Sequence, residues 1–349
     1  MANCTLSIII VSWNVRDLLC ACLASIERVS RGESVAPHLR AFGPKADGRV
    51  RTLEVIVIDN ASSDGTPAQV ALQFPWVRLI PSEHNLGFTA GNNRGFAASR
   101  GEFVFFLNPD AELKQNASGQ MVSEGNDTLS ILVSVLECNP TVGMVGPRLR
   151  YGDGQCQESR RRFPTPLTGF FESTWLGRAW SMNPWAAQMH MADWPDEFSQ
   201  DVDWLVGAAM FCRRSALADL SLSTRQPAVS PGPFDEGFFM YSEEVDLCRR
   251  LKLAGWRVLF APEAEIIHHQ GKSSEQATAA RHIHFNRSKV RYWRKWFGPR
   301  WSQALRRYLL LEFRVQWWLE GAKWLAGNNR PLRRQRMAVY RQVIQTRLV

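Results

Sequence analysis

Several apolar runs in this chain end abruptly in residues able to do chemistry. Phe103-Val104-Phe105-Phe106-Leu107 gives way to Asn108-Pro109-Asp110, and Glu54-Val55-Ile56-Val57-Ile58 gives way to Asp59-Asn60. Ile266-Ile267 gives way to His268-His269. An amide and a carboxylate at the tip of a buried strand suit a metal ion and a phosphate, because ligands of open α/β sheets bind beyond the carboxyl ends of the strands. Asn, Pro and Asp are also ordinary turn formers, so the tip by itself is equally a plain turn. A second acidic group, Glu243, Glu244 and Asp246, opens a helix pattern that closes with Arg249, Arg250 and Lys252 before Gly255. Acids in a first helical turn stabilise the helix dipole without any chemistry.

The elements that must position these groups alternate in type. Residues 6–11 form a β-branched strand suited to burial on both faces. An apolar stripe follows at Val15, Leu18, Leu19, Cys22, Leu23 and Ile26, which predicts a helix capped by Asn14. Residues 54–58, 76–80 and 103–107 read as further strands, and Gly91-Asn92-Asn93 as the opening of a short helix that ends near Ser99. This rhythm predicts a doubly wound α/β sheet, mixed but mainly parallel and flanked by helices. No GxGxxG follows the first strand, which argues against a dinucleotide fold. Residues 31–52 and 114–127, rich in Gly and polar side chains, read as exposed insertions. A helix is expected over 128–137, a strand over 142–149 and another over 257–261. Between 151 and 200 the periodicity fades.

The 349 residues hold one large α/β domain and an accessory segment. Seven scattered cysteines without a CxxC pair argue against a disulfide framework or a zinc site, and suit a reducing cytoplasm. No leader peptide and no membrane-spanning run is read from the sequence. The net charge of +9 is uneven: residues 281–349 carry 17 Lys/Arg against Glu312 and Glu320, leaving a mildly acidic body.

Seven stretches in order resemble the inverting family-2 glycosyltransferases of the GT-A (nucleotide-diphospho-sugar transferase) fold. They are SIIIVSWN, EVIVIDNASSDGT, NLGFTAGNNRGF, FVFFLNPDAEL, DWLVGAAMFCRR, GFFMYSEEVDLCRRLKLAGW and IIHHQGKSS. They are most similar to the rhamnosyltransferase-like branch that builds bacterial cell-surface polysaccharides. The resemblance implies a catalytic domain over 1–280 and assigns roles. Val11, Ser12, Trp13 and Asp59 match positions lining the nucleobase and ribose, and Asn85 and Asn92 match positions facing the nucleotide and its phosphates. Asn108 and Asp110 occupy the Asp-X-Asp metal motif, with Asn in place of the first Asp. Asp110 is the implied ligand of Mg²⁺ or Mn²⁺; of the adjacent His268 and His269, the spacing to Gly271 and Ser273 favours His268 as the match to a histidine that completes the metal or phosphate site. Glu243 and Glu244 occupy the Glu-Asp pair whose second member is the catalytic base. Trp204, Gly207 and Ala208 match a block shaping the sugar and acceptor pocket.

The implied partners are a dTDP-, UDP- or GDP-linked sugar, most nearly dTDP-rhamnose, and a lipid-linked glycan acceptor, with the protein at the inner face of the cell membrane. A non-catalytic sugar-nucleotide-binding scaffold of the same fold is the alternative, motivated by Asn108 and Glu244. The tail over 281–349 reads as helical, with six Trp among its Arg and Lys. That composition suits either a membrane interface or packing on the catalytic body. No nucleic-acid-binding motif accompanies it.

Overall fold

The computed structural model describes residues 4–30, 34–44, 50–114, 127–173, 180, 183–192, 194–223, 232–269 and 278–349. The chain divides into two compact units, and the boundary is not a single point. The first unit holds Met1–Phe163, Gln188–Gly237 and Glu243–Ser273; the second holds Pro164–Ala187, Phe238–Ser242 and Ser274–Val349.

The first unit begins with β1 (Leu6–Ser12), α1 (Arg16–Val29), β2 (Ser34–Ala36), β3 (Leu39–Pro44), β4 (Val50–Asp59), α2 (Thr66–Gln73) and β5 (Arg78–Pro81). It continues with α3 (Gly87–Ala98), β6 (Phe103–Leu107), β7 (Ala111–Leu113), α4 (Thr128–Cys138) and β8 (Val142–Arg150). Short strands β9 (Cys156–Gln157), β10 (Arg160–Arg161), β11 (Gln200–Asp201) and β12 (Trp204–Leu205) precede β13 (Ala209–Arg213) and β14 (Arg257–His268). The main sheet runs β11-β14-β8-β13-β6-β1-β4-β3-β2. β1 lies parallel between β4 and β6, with Ser12 opposite Asp59 and Ile9 opposite Phe106. β13 is antiparallel to both β6 and β8, so the sheet is mixed, parallel on one side and crossed by a reversed strand on the other.

The two-sided burial expected of β1 follows from its alternation. Leu6, Ile8 and Ile10 pack with Leu19, Leu23 and Ile26 of α1, while Ile9 packs with Phe106 and Phe234 on the opposite face. Fully burying each such side chain contributes roughly 1.5–3 kcal/mol.

Three local expectations are corrected. Part of the segment read as an exposed insertion over 31–52 is sheet: β3 pairs antiparallel with β4, and Leu39, Ala41 and Phe42 are buried. Its Gly and Arg content hid the apolar alternation, because Arg40 and Arg51 are themselves buried and paired with Glu27 and Glu137. Residues 31–33, 45–49 and 115–126 of the two expected insertions lie outside the described residues, as do Gly271 and Ser273. Second, Gly91 does not open α3, which starts a turn earlier at Gly87. Gly91 and Gly95 instead face β1: a Cβ on Gly91 would lie 2.9 Å from Val11 Cγ1, and one on Gly95 would overlap Ile9 Cγ2. Third, Asn14 does not cap α1; its side chain accepts from Ser63 N at 2.7 Å. The N-terminus of α1 is served by Asp64, whose Oδ2 accepts from Arg16 N at 2.9 Å.

The second unit is helical, with Pro166–Ser173, Thr278–Phe297, Pro299–Leu325 and Arg330–Gln345. Gly298 and Gly327, both at positive φ, stand just ahead of Pro299 and Pro331, the pattern that ends one helix and starts the next. Leu305, Leu309, Leu310 and Phe313 are buried, and Phe313 meets Tyr340 with ring centroids 5.9 Å apart. Among the described residues no helix is long and apolar enough to cross a membrane.

Candidate active site

Parallel pairing of β1 and β4 sets their carboxyl ends side by side. Asn60 N donates to Ser12 O at 2.8 Å, and Asp59 Oδ2 accepts from Ser62 N at 3.1 Å. Three polar atoms remain buried there without a hydrogen-bond partner: Ser12 Oγ, Asp59 Oδ1 and Asn60 Oδ1. Each buried polar atom left unmade costs about 1–3 kcal/mol, so their meeting at one strand end marks a place built for a polar ligand. The loop is pinned around them. Asn14 and Ala61 both adopt left-handed φ, and Asn14 N donates to Ser62 Oγ at 3.0 Å. Burial works to raise the Asp64 carboxyl, but hydrogen bonds from the Thr66 hydroxyl and from the Arg16 and Thr66 amides outweigh it and hold the group below its ordinary value. Val11 is buried against α3, and Trp13 is half-buried beside it in the chain.

Past β6 the chain turns at Asn108 and Asp110 and enters β7, which pairs with the end of β14. That pairing sets His268 opposite Ala111, and His269 N donates to Asp110 O at 2.9 Å. The two adjacent histidines therefore part. His269 Nε2 lies 2.8 Å from Glu112 Oε1, whereas His268 turns inward, with Nδ1 3.0 Å from Gln157 Oε1 and Nε2 3.4 Å from Asp110 Oδ1. The Gln157 oxygen occupies the Nδ1 side of the ring, so Nε2 faces a buried Asp110 carboxyl oxygen that accepts no hydrogen bond. A proton or a cation between these two atoms would bridge them. Among the described residues no group of three or more His, Cys, Asp or Glu could hold a metal. Asp110 and His268 together offer two ligands, which fits a hard ion that keeps waters and substrate phosphates in its shell.

The third part is the helix Glu243–Leu253, preceded by Tyr241 and Ser242, both left-handed. Asp246 is fully buried and bound to Arg250 Nε at 2.8 Å, the structural i, i+4 pair its spacing suggests. Glu243 is buried and its Oε2 accepts no hydrogen bond. Burial, and then the neighbouring Glu244 charge, push its carboxyl well above the ordinary range. Glu244 is partly exposed, and Gly207 passes so close that a Cβ there would lie 3.4 Å from Glu244 Cβ. The next residue completes a link to the strand tip, since Ala208 O accepts from Asn108 N at 2.9 Å. Gly207 and Ala208 thus tie the acidic helix to the end of β6.

Other expected site residues have local partners. Asn85 Oδ1 accepts from Gly87 N at 2.9 Å, and Asn92 Nδ2 donates to Phe88 O at 2.9 Å, so both brace α3. Trp204 spends its indole N–H on Arg162 O at 2.9 Å. Sequence reading noted Asn60 beside Asp59 but gave it no role, and it missed Gln157, which sits where periodicity fades. Asn93 is a structural brace: its side chain donates to Phe234 O and accepts from Phe234 N.

Residues 7–182 match Glycosyl transferase family 2. The chain is 31% identical over 300 residues to the N-acetylglucosaminyl-diphospho-decaprenol L-rhamnosyltransferase of Mycobacterium tuberculosis, covering 80% of this chain and 90% of that protein. It is 27% identical over 263 residues to an O-antigen biosynthesis protein of Myxococcus xanthus, 73% of this chain and 18% of the other. Among solved structures, a mannosyltransferase of Pyrobaculum calidifontis in complex with GDP-Man and Mn²⁺ matches with TM-score 0.48 and 18% identity, over 100% of this chain and 86% of that one. With the β1–β4 and β6 tips and the acidic helix gathered in one unit, the family match over residues 7–182 and the 31% identical mycobacterial relative identify the chain as a member of glycosyltransferase family 2, an enzyme that transfers sugar from a nucleotide-sugar donor.

Proposed function

We propose that the enzyme moves rhamnose from dTDP-rhamnose, with inversion, to a hydroxyl of a lipid-linked glycan, and that it needs a divalent cation. The sugar and the acceptor class rest on the mycobacterial relative. The observation that carries the catalytic reading is the facing pair Asp110 Oδ1 and His268 Nε2 beside the β6 tip. These two residues would hold Mg²⁺ or Mn²⁺. Such an ion, when bound, offsets the charge of the departing diphosphate.

Ser12, Asp59 and Asn60 bind the nucleoside through the buried oxygens that lack partners. Asn108 stands between the donor site and Gly207-Ala208, whose small side chains leave room for the sugar and acceptor. Glu244 takes the proton of the acceptor hydroxyl. The hydroxyl oxygen then bonds to the anomeric carbon from the face opposite the nucleotide, and the carbon–oxygen bond to the diphosphate breaks with its electron pair. Glu243 stands beside the base, its carboxyl pushed well above the ordinary range by burial and then by the Glu244 charge.

The test is transfer to a short-chain polyprenyl-diphosphate-linked acceptor from a panel of dTDP-, UDP- and GDP-sugars, with Mn²⁺ or with chelator. Glu244→Gln is expected to lower kcat about 10²–10⁴-fold while nucleotide binding persists. Full transfer by that variant would overturn the base assignment. Nucleotide binding without turnover in the unaltered chain, under every donor, would favour the scaffold reading.

A further inference from the structure

The second unit carries a surface that sugar transfer does not use. In the helix Pro299–Leu325, Leu305, Leu309, Leu310 and Phe313 face inward, whereas Leu311, Val315, Trp318, Ala322 and Leu325 are exposed. The exposed five recur at helical spacing and fall within an arc of roughly 80°. Trp318 is 71% exposed and Leu325 73% exposed, far beyond what isolated surface apolar residues require. Arg307 and Arg314 border the stripe and are exposed as well.

The acids of this helix are turned away from it. Glu320 is buried and bound by Arg333 at 2.8 Å and by Lys323 at 3.5 Å, and Glu312 accepts from Gln316. An adjoining groove is lined by Trp324, Arg330 and Arg334, with the Arg330 guanidinium 5.5 Å from the Trp324 ring centre. The stripe is thus apolar, rimmed by cations and free of carboxylates.

We infer that this face docks on an anionic phospholipid bilayer, with Trp318, Leu311 and Leu325 in the interfacial layer and the arginines on headgroup phosphates. Charge selects the occupant. A second copy would bring two faces of the same strongly basic segment together, and a nucleic acid offers nothing to cover Leu311, Val315 and Leu325. The inference is independent of the donor and acceptor proposed above.

The test is flotation of the full chain with phosphatidylcholine vesicles, with and without phosphatidylglycerol. Binding is expected only to the anionic vesicles, and raised salt should weaken it. Replacing Arg307→Gln together with Arg314→Gln should lower partitioning about 25-fold, roughly fivefold for each charge. Trp318→Ser should weaken it further, with oligomeric state and nucleotide binding unchanged. In the unaltered chain, brominated phosphatidylglycerol should quench tryptophan emission, a readout that needs no variant. Equal partitioning to both vesicles, or none to either, would overturn the inference. So would a dimer that Trp318→Ser dissociates, or RNA that displaces the chain from the vesicles.

Discussion

His268 Nε2 and Asp110 Oδ1 stand 3.4 Å apart, both side chains almost fully buried, with Gln157 fixing the far side of the imidazole. The arrangement makes Gln157 the residue that decides which nitrogen faces the carboxylate. Gln157→Leu is expected to weaken Mn²⁺ binding in the presence of nucleoside diphosphate about 10–100-fold. Calorimetry with Mn²⁺ checks this; unchanged affinity would show that the imidazole is not held through Nδ1.

The buried Glu243 carboxyl links stability to pH. Its folded pKa is raised, so the stability associated with its neutral form is present below about 4.5 and is lost as pH rises toward the folded value. Glu243→Gln mimics the neutral acid. The variant should therefore match the parent near pH 4 and melt higher than the parent at pH 8, in thermal scans at both pH values.

Arg250 neutralises a fully buried Asp246 and also donates to Pro233 O at 2.7 Å. Arg250→Ala leaves the carboxylate without its guanidinium, at an expected cost of about 3–5 kcal/mol. Urea unfolding measures it. A loss below about 1 kcal/mol would mean that Asp246 is stabilised by other groups.

Gly95 lies where a Cβ would overlap Ile9 Cγ2. Gly95→Ala should cost about 1–3 kcal/mol, and Ile9→Ala in the same chain should return part of that loss by making room. Additive losses in the double variant would contradict the close approach of α3 to β1.

Some of this was legible before folding. The alternation of Leu6, Ile8 and Ile10 against Ile9 announced a strand buried on both faces, and the apolar run 103–107 announced the β6 tip. Asp246 and Arg250, four residues apart in one helix, could be paired by spacing alone. Short-range periodicity carries such information because the neighbours involved are neighbours in sequence.

The failures share the opposite cause. Asn14 looked like a cap, yet Asp64, 48 residues beyond Arg16, serves α1 because β1 and β4 end side by side. Arg40 and Arg51 looked like an exposed loop until Glu27 and Glu137 arrived from α1 and α4 to pair with them. The glycines of α3 read as a helix start, because the strand they admit lies about 80 residues earlier in the chain.

The sequence by itself determined the strand–helix alternation around β1, β4 and β6, the order of the strands' polar tips and the family resemblance, since these depend on residue type and local spacing. Only the tertiary structure decided which histidine meets Asp110. The antiparallel β7–β14 register settles that between two adjacent, chemically identical side chains. It also decided that Gly207 and Ala208 would join Glu244 to Asn108, a contact between chain segments about a hundred residues apart in sequence that no local pattern encodes.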